Sequence, residues 1–184
     1  MDRLNPNARR DQFGSKINRS HSPILAIGMP WITIVLASLA PMLPIIAPAP
    51  IVPPLGYLFL LAWRVLRPGL LPMWAGLPLG FVDDLFSGQP LGSAILLFSV
   101  TMIALDLIEI RFPWRGFWQD WFVAGAFATL YILLSALFSG ASITPIQLSL
   151  ILPQLFLAIL AFPIVAQCVS LLDRIRLRRM RRIG

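Results

Sequence analysis

Side chains able to carry chemistry are scarce in this sequence, which holds one cysteine, one histidine and eight carboxylates in 184 residues. The cysteine, Cys168, stands in an apolar run, so no intrachain disulfide can form. The histidine, His21, lies in a polar N-terminal stretch. One His and one Cys are too few ligands for a zinc site, and with His21 in a polar tail and Cys168 in an apolar run neither a Cys–His dyad nor a Ser–His–Asp triad is expected. The reading is therefore of a protein without a catalytic centre, a metal or a cofactor. Charge is scarce as well: 12% of residues are charged, against about 25% in a soluble domain that must wet its surface. Hydrophobic residues make up 58% of the chain and the mean hydropathy is +0.80. Lipid is the natural solvent for such a surface.

Six apolar segments can be read, at roughly 24–47, 52–66, 70–87, 91–110, 121–139 and 146–172. A helix needs about 20 residues to cross a hydrocarbon core near 30 Å. The fold expected is an all-α bundle of six transmembrane helices over 24–172, flanked by basic tails at 1–23 and 173–184. The second and third segments are short. Pro41, Pro44, Pro48, Pro50, Pro53 and Pro54 predict an extended first connection. Pro30, Pro78, Pro153 and Pro163 fall within spans and should kink them.

The net charge of +7 sits in the tails, with +3 over residues 1–23, +5 over 173–184 and −1 between them. Cytoplasmic loops collect Lys and Arg. With the N-terminal tail inside and six spans, Arg64 and Arg67, Arg111 and Arg115, and the C-terminal arginines all fall on that same face. An odd number of spans breaks this partition. Treating 52–87 as a re-entrant hairpin leaves Arg64 and Arg67 within the bilayer, at high cost. Both termini are thus expected in the cytoplasm. Ala37–Ala40 faintly resembles a signal-cleavage site, but the first 23 residues are too long and polar for an ordinary signal n-region. Trp114, Phe117, Trp118 and Trp121 sit where an interfacial aromatic belt is expected.

One segment stands apart. From Arg67 it reads RPGLLPMWAGLPLGFVDDLFSGQPLG, with Gly76, Gly80, Asp84, Gly88 and Gly92 recurring every four residues. Glycine at this spacing lets a neighbouring helix backbone approach closely. Asp84 falls on the same seam, about 22 Å along the helix from Gly69 at 1.5 Å per residue. An acid at that depth is a functional candidate, because burying it is costly unless it is paired. The structural alternative is a carboxylate near the outer interface that caps the next helix. Asp83 points roughly 100° away, so the two acids cannot form a dyad, and Asp83 is expected to face water or a polar neighbour. Gln89-Pro90 should break the helix at an outer turn between Gly88 and Gly92.

The pattern RPxxLP followed by GxxxGxxxDxxxGxxLG resembles the rod shape-determining protein MreD family. The residues that carry the resemblance are Arg67, Pro68, Leu71, Pro72, Gly76, Gly80, Asp84, Gly88, Leu91 and Gly92. The resemblance implies a non-enzymatic protein of the bacterial inner membrane that belongs to the cell-elongation machinery. The partners it implies are MreC, the MreB cytoskeleton, and the peptidoglycan glycosyltransferase and transpeptidase. The bundle it implies is similar to the S components of energy-coupling-factor transporters. On this reading Arg67, Pro68, Pro72, Gly76, Gly80, Asp84, Gly88 and Gly92 form a partner-binding helix seam. Gly80→Leu should then weaken complex formation and leave membrane insertion intact. The alternative is a substrate-binding subunit of such a transporter. Against it, the connections on the face opposite the arginines are short, and few polar groups converge on one pocket.

Other polar residues admit structural and functional readings. Asp106 and Glu109, three apart on the fourth segment, share a face where they can pair with Arg64, Arg67 or Arg111, or serve a proton relay. Arg174, Arg176, Arg178, Arg179, Arg181 and Arg182 form a polybasic run suited to anionic lipid, at about 1 kcal/mol per cation, or to a cytoplasmic partner. Nucleic-acid binding is not expected, since no aromatic-basic platform accompanies them. Thr129, Tyr131, Ser135, Ser139, Gln147, Ser149, Gln154 and Gln167 either line an interior cavity or hydrogen-bond between helices.

Overall fold

The computed structural model describes residues 19–20, 23–42, 52–112, 116–140, 144–176 and 180–181. Six helices make up the described body: α1 (Pro23–Ser38), α2 (Leu55–Leu66), α3 (Gly76–Ser87), α4 (Ser93–Arg111), α5 (Phe117–Phe138) and α6 (Pro145–Arg176). Single 3₁₀ turns follow α1 at Ala40–Met42 and precede α3 at Met73–Ala75. Pro41 therefore lies in a tight turn and not in the extended stretch expected of it. Pro44, Pro48, Pro50 and Trp114 fall outside the described residues, as do His21, Arg115, Arg178, Arg179 and Arg182.

Three helices, α4, α5 and α6, are long and apolar enough to cross a membrane, while α1 and α2 are apolar but shorter. The count of six helices matches the six apolar segments. Their lengths do not, since α2 and α3 have twelve residues each, a rise of about 18 Å. Gly69 in the left-handed region, at φ 77°, and Pro72 just before the 3₁₀ turn end the preceding stretch and delay the start of α3. Pro78 consequently falls in the first turn of α3. The amide it lacks there has no intrahelical partner in any case, so the kink expected at Pro78 is not needed. Pro30 in α1 and Pro153 and Pro163 in α6 do lie inside helices.

α2 is the axis of the bundle. Its sequence, LGYLFLLAWRVL, carries a single charge, Arg64 in the last turn, and is otherwise predominantly apolar, as suits a helix in a core. Tyr57, Leu58, Leu60, Leu61, Ala62 and Trp63 are essentially inaccessible. α1, α5 and α6 surround it, and α3 lies against α4 on one flank. Outward, Ile103 and Leu107 on α4, Phe122 and Leu130 on α5, and Phe156, Leu160 and Ile164 on α6 are exposed. Such an apolar exterior is stable in hydrocarbon and not in water.

The polar side chains collect at the two ends. One end gathers Arg64, Arg67, Asp106, Glu109, Asp173 and Arg176, and the other Ser38, Asp83, Asp84 and Ser93. Arg19–Ser20 pairs antiparallel with Met180–Arg181, so the two tails meet.

Candidate functional site

The glycine seam makes the close approach its spacing predicts, but with this chain's own α4. A Cβ placed on Gly76 would lie 2.8 Å from the Ser99 backbone, and one on Gly80 would lie 2.6 Å from Ala94 O and Ile95 Cα. Both glycines are buried. The seam expected to receive a partner helix is filled from within, because α4 folds back directly after the turn.

That turn explains Asp84. Gly88 ends α3 at φ 70° and Gly92 precedes α4 at φ 100°, left-handed conformations that glycine adopts without strain. The reversal carries the first amides of α4 over the end of α3. Asp84 accepts from the amides of Gly92 (2.8 Å), Ala94 (2.8 Å) and Ile95 (3.3 Å), and from Ser93 Oγ (3.1 Å). A carboxylate there satisfies donors that would otherwise be orphaned and meets the positive end of the helix dipole. Of the two readings of Asp84, the structure shows the helix cap.

Asp83 turns the other way, into the bundle. It is buried and accepts a hydrogen bond from Tyr131 Oη on α5 at 3.0 Å. Gly56 on α2 makes the space, since a Cβ there would strike Ser38 Oγ and come within 2.7 Å of Asp83 Oδ1. Asp83 has the polar neighbour expected of it, and the two acids serve separate partners. The Tyr131 ring stacks on Tyr57 with centroids 4.1 Å apart, and Tyr57 Oη hydrogen-bonds Thr101 Oγ1 at 2.7 Å. One buried polar chain thus links α2, α3, α4 and α5.

At the other end the arginines act as rivets. Arg64, buried, ion-pairs with Asp106 and with Glu109, the latter at 2.9 Å. This is the structural ion pair foreseen for Asp106 and Glu109. Arg67, half exposed, pairs with Asp173 on α6, which Arg176 also grips at 2.6 Å. Arg176 is drawn inward over the Trp63 ring, whereas Arg174 remains exposed. Trp63 Nε1 donates to Thr33 Oγ1 on α1 at 2.9 Å.

Of the remaining motif residues, Pro68 and Gly88 are exposed and Pro72 and Gly92 half-buried. Thr129, Ser135 and Ser139 bond to carbonyls of their own helix. Gln154 reaches across to Val52 O at 2.9 Å. Of these polar residues, Tyr131 joins the buried chain. Phe117, Trp118, Trp121 and Phe122 form a run of ring contacts at the start of α5, the place expected for an aromatic belt. Sequence reasoning missed Tyr57, Gly56 and Ser38. The signal available was a glycine and a tyrosine side by side in an otherwise aliphatic helix.

The features in hand are an apolar bundle, a motif segment folded tightly onto its successor, and charges confined to the ends. No group of three or more His, Cys, Asp or Glu side chains suited to a metal occurs among the described residues. No curated protein and no solved structure matches the chain. Residues 22–174 match the family described as rod shape-determining protein MreD, which spans all six helices but the last two residues of α6. The chain is therefore a member of the MreD family of rod shape-determining membrane proteins.

Proposed function

We propose that this protein is a non-enzymatic inner-membrane component of the bacterial cell-elongation complex, holding an MreC-like single-span partner beside the peptidoglycan synthases. The observation that carries the reading is the family match across the helical body. The buried ends support it: Asp83, Asp84 and Arg64 are each committed to helix-to-helix contacts, which is the chemistry of a scaffold. Six spans with both termini cytoplasmic is the topology of this reading, and what supports it is that every Arg–carboxylate pair described lies at one end of the bundle. The C-terminal arginines other than the inward-turned Arg176 are then suited to anionic lipid. With Gly76 and Gly80 covered, a partner helix reaches the motif segment from the lipid side, over Trp74, Leu77, Phe81 and Leu85, all exposed. The transporter reading finds no support in the family match.

The test is affinity purification of the full chain from native membranes in mild detergent, with mass spectrometry of what co-purifies. Recovery of an MreC-like single-span protein together with the synthases is expected, and Leu77→Ala/Phe81→Ala should lose that partner while the protein stays monodisperse. Recovery of ATPase subunits without cell-wall proteins would overturn the reading.

A further inference from the structure

α6 is one helix in two stretches with different neighbours. Before Pro163, Ile159 lies against α5, beside Gly125 and Trp121. Beyond Pro163, Asp173 and Arg176 reach the end of α2, at Arg67 and over the Trp63 ring. Pro163 stands between these two sets of contacts and has no amide hydrogen, so the carbonyl four residues earlier, Ile159 O, loses its helical donor. A carbonyl left bare in hydrocarbon is costly. Trp121 Nε1 supplies the missing donor, at 3.0 Å from Ile159 O. The backbone ladder of α6 is interrupted at one carbonyl, and α5 fills the interruption with an indole. The arm beyond it, residues 163–176, is held chiefly at its tip. Its buried apolar side chains are Val165 and Val169, and in a membrane such burial gains little, because lipid tails are as apolar as the bundle. Asp173 is different. It is buried and gripped by both Arg67 and Arg176. Arg67 is half exposed, so one side of this clasp is open to its surroundings.

We propose that α6 is a hinged strap. Pro163 is the pivot and Trp121 pins the fixed side at Ile159. The Asp173 clasp sets whether the arm lies on α2 or swings away from it, carrying the C-terminal arginines along. Few element-terminal residues need change conformation for such a motion. Opening the clasp frees Arg67, Asp173 and Arg176 together at the arginine-bearing end. The strap rests on the membrane setting of the bundle and stands apart from the partner reading, since co-purification of a partner reads neither its pivot nor its clasp.

The test uses the full chain in lipid nanodiscs, with spin labels on the native Cys168, exposed on the arm, and on Leu130→Cys, exposed on α5. Double electron–electron resonance should give one narrow distance in this doubly labelled parent. Asp173→Asn should add a second, longer distance, and Arg67→Gln should do the same if the Asn variant is not monodisperse. Pro163→Ala added to either should abolish the second distance, because the restored amide closes the helix. The pin is read separately by thermal unfolding. Trp121→Phe keeps an aromatic ring and removes the donor, and should lower the melting temperature by about 2–10 °C. In a Pro163→Ala background the same change should cost less than about half as much, since Ile159 O then has a backbone donor of its own. A single distance in the clasp variants, a second distance that survives Pro163→Ala, or equal losses from Trp121→Phe in the two backgrounds would overturn the proposal.

Discussion

Replacing Gly80 by alanine adds one methyl group, and the geometry says where it must go. The new Cβ would stand 2.6 Å from Ala94 O and Ile95 Cα, against an ordinary contact distance of 3.4 Å or more. Both obstacles are backbone, so no side chain can swing aside, and α3 must retreat from α4 by close to 1 Å. Overpacking of this kind costs about 1–3 kcal/mol. The same retreat pulls Asp84, one turn further along, away from the Ala94 and Ile95 amides it holds at 2.8 and 3.3 Å. A hydrogen bond drawn to 3.6 Å is lost, and each lost bond to a charged acceptor costs about 1.5–3 kcal/mol. The expected total is about 4–9 kcal/mol, which for a chain of this length lowers the melting temperature by roughly 10–35 °C. The assay is thermal unfolding of the purified protein in detergent, with Gly125→Ala as reference. A Cβ at Gly125 meets only Ile159 side-chain atoms, at 3.7 and 3.9 Å, and alanine favours a helix by up to about 1 kcal/mol over glycine. Because both effects share one seam, Gly80→Ala and Asp84→Asn should combine to less than the sum of their separate costs. If Gly80→Ala and Gly125→Ala melt within a couple of degrees of each other, the internal seam is refuted. The expectation that Gly80→Leu spares the protein and weakens only its complex then becomes the better account.

Three further outcomes follow from the buried polar groups. Tyr131→Phe keeps the stack on Tyr57 but withdraws the hydroxyl from Asp83, at a cost of about 1–3 kcal/mol, which the same melt should register; an unchanged melt would mean that contact carries no weight. Arg64→Met leaves Asp106 and Glu109 facing each other without their cation and should cost about 3–5 kcal/mol, with Asp106→Asn/Glu109→Gln in the same chain recovering part of it. Gly56→Ala drives a methyl into Ser38 Oγ and Asp83 Oδ1 and should destabilise by about 1–3 kcal/mol, detectable as a lower yield of monodisperse protein in size-exclusion chromatography.

The bundle was legible in the sequence because hydropathy and arginine placement act at long range and in one direction. Every helix lies within or close to one of the apolar segments. The Asp106–Glu109 spacing fixed a shared face, and Arg64 takes up both. The lengths of α1 and α3 were not legible. Hydropathy is blind to the conformations at Gly69 and Pro72, which delay the start of α3 although the residues there remain apolar. The role of the glycine seam was misjudged for a related reason. Spacing declares that a backbone comes close, and says nothing of which one. Two glycines in the left-handed region, Gly88 and Gly92, settle the question by turning α4 straight back onto α3. The inward commitment of Arg176 was also hidden, because a run of arginines gives no sign of which member finds a carboxylate and an indole ring within reach.

The shortness of α3 bears on the lipid around it. With its 3₁₀ turn, this stretch presents Met73, Trp74, Leu77, Phe81 and Leu85 outward over a height of about 24 Å. A bilayer core is nearer 30 Å, and α6, with 32 residues, rises about 48 Å. On the six-span reading proposed above, lipid would be thinned beside α3 and full-width beside α6, at fractions of a kcal/mol for each ångström of mismatch. Neighbours with a short apolar belt relieve that strain by settling on the α3 side, and long-belted ones by staying away.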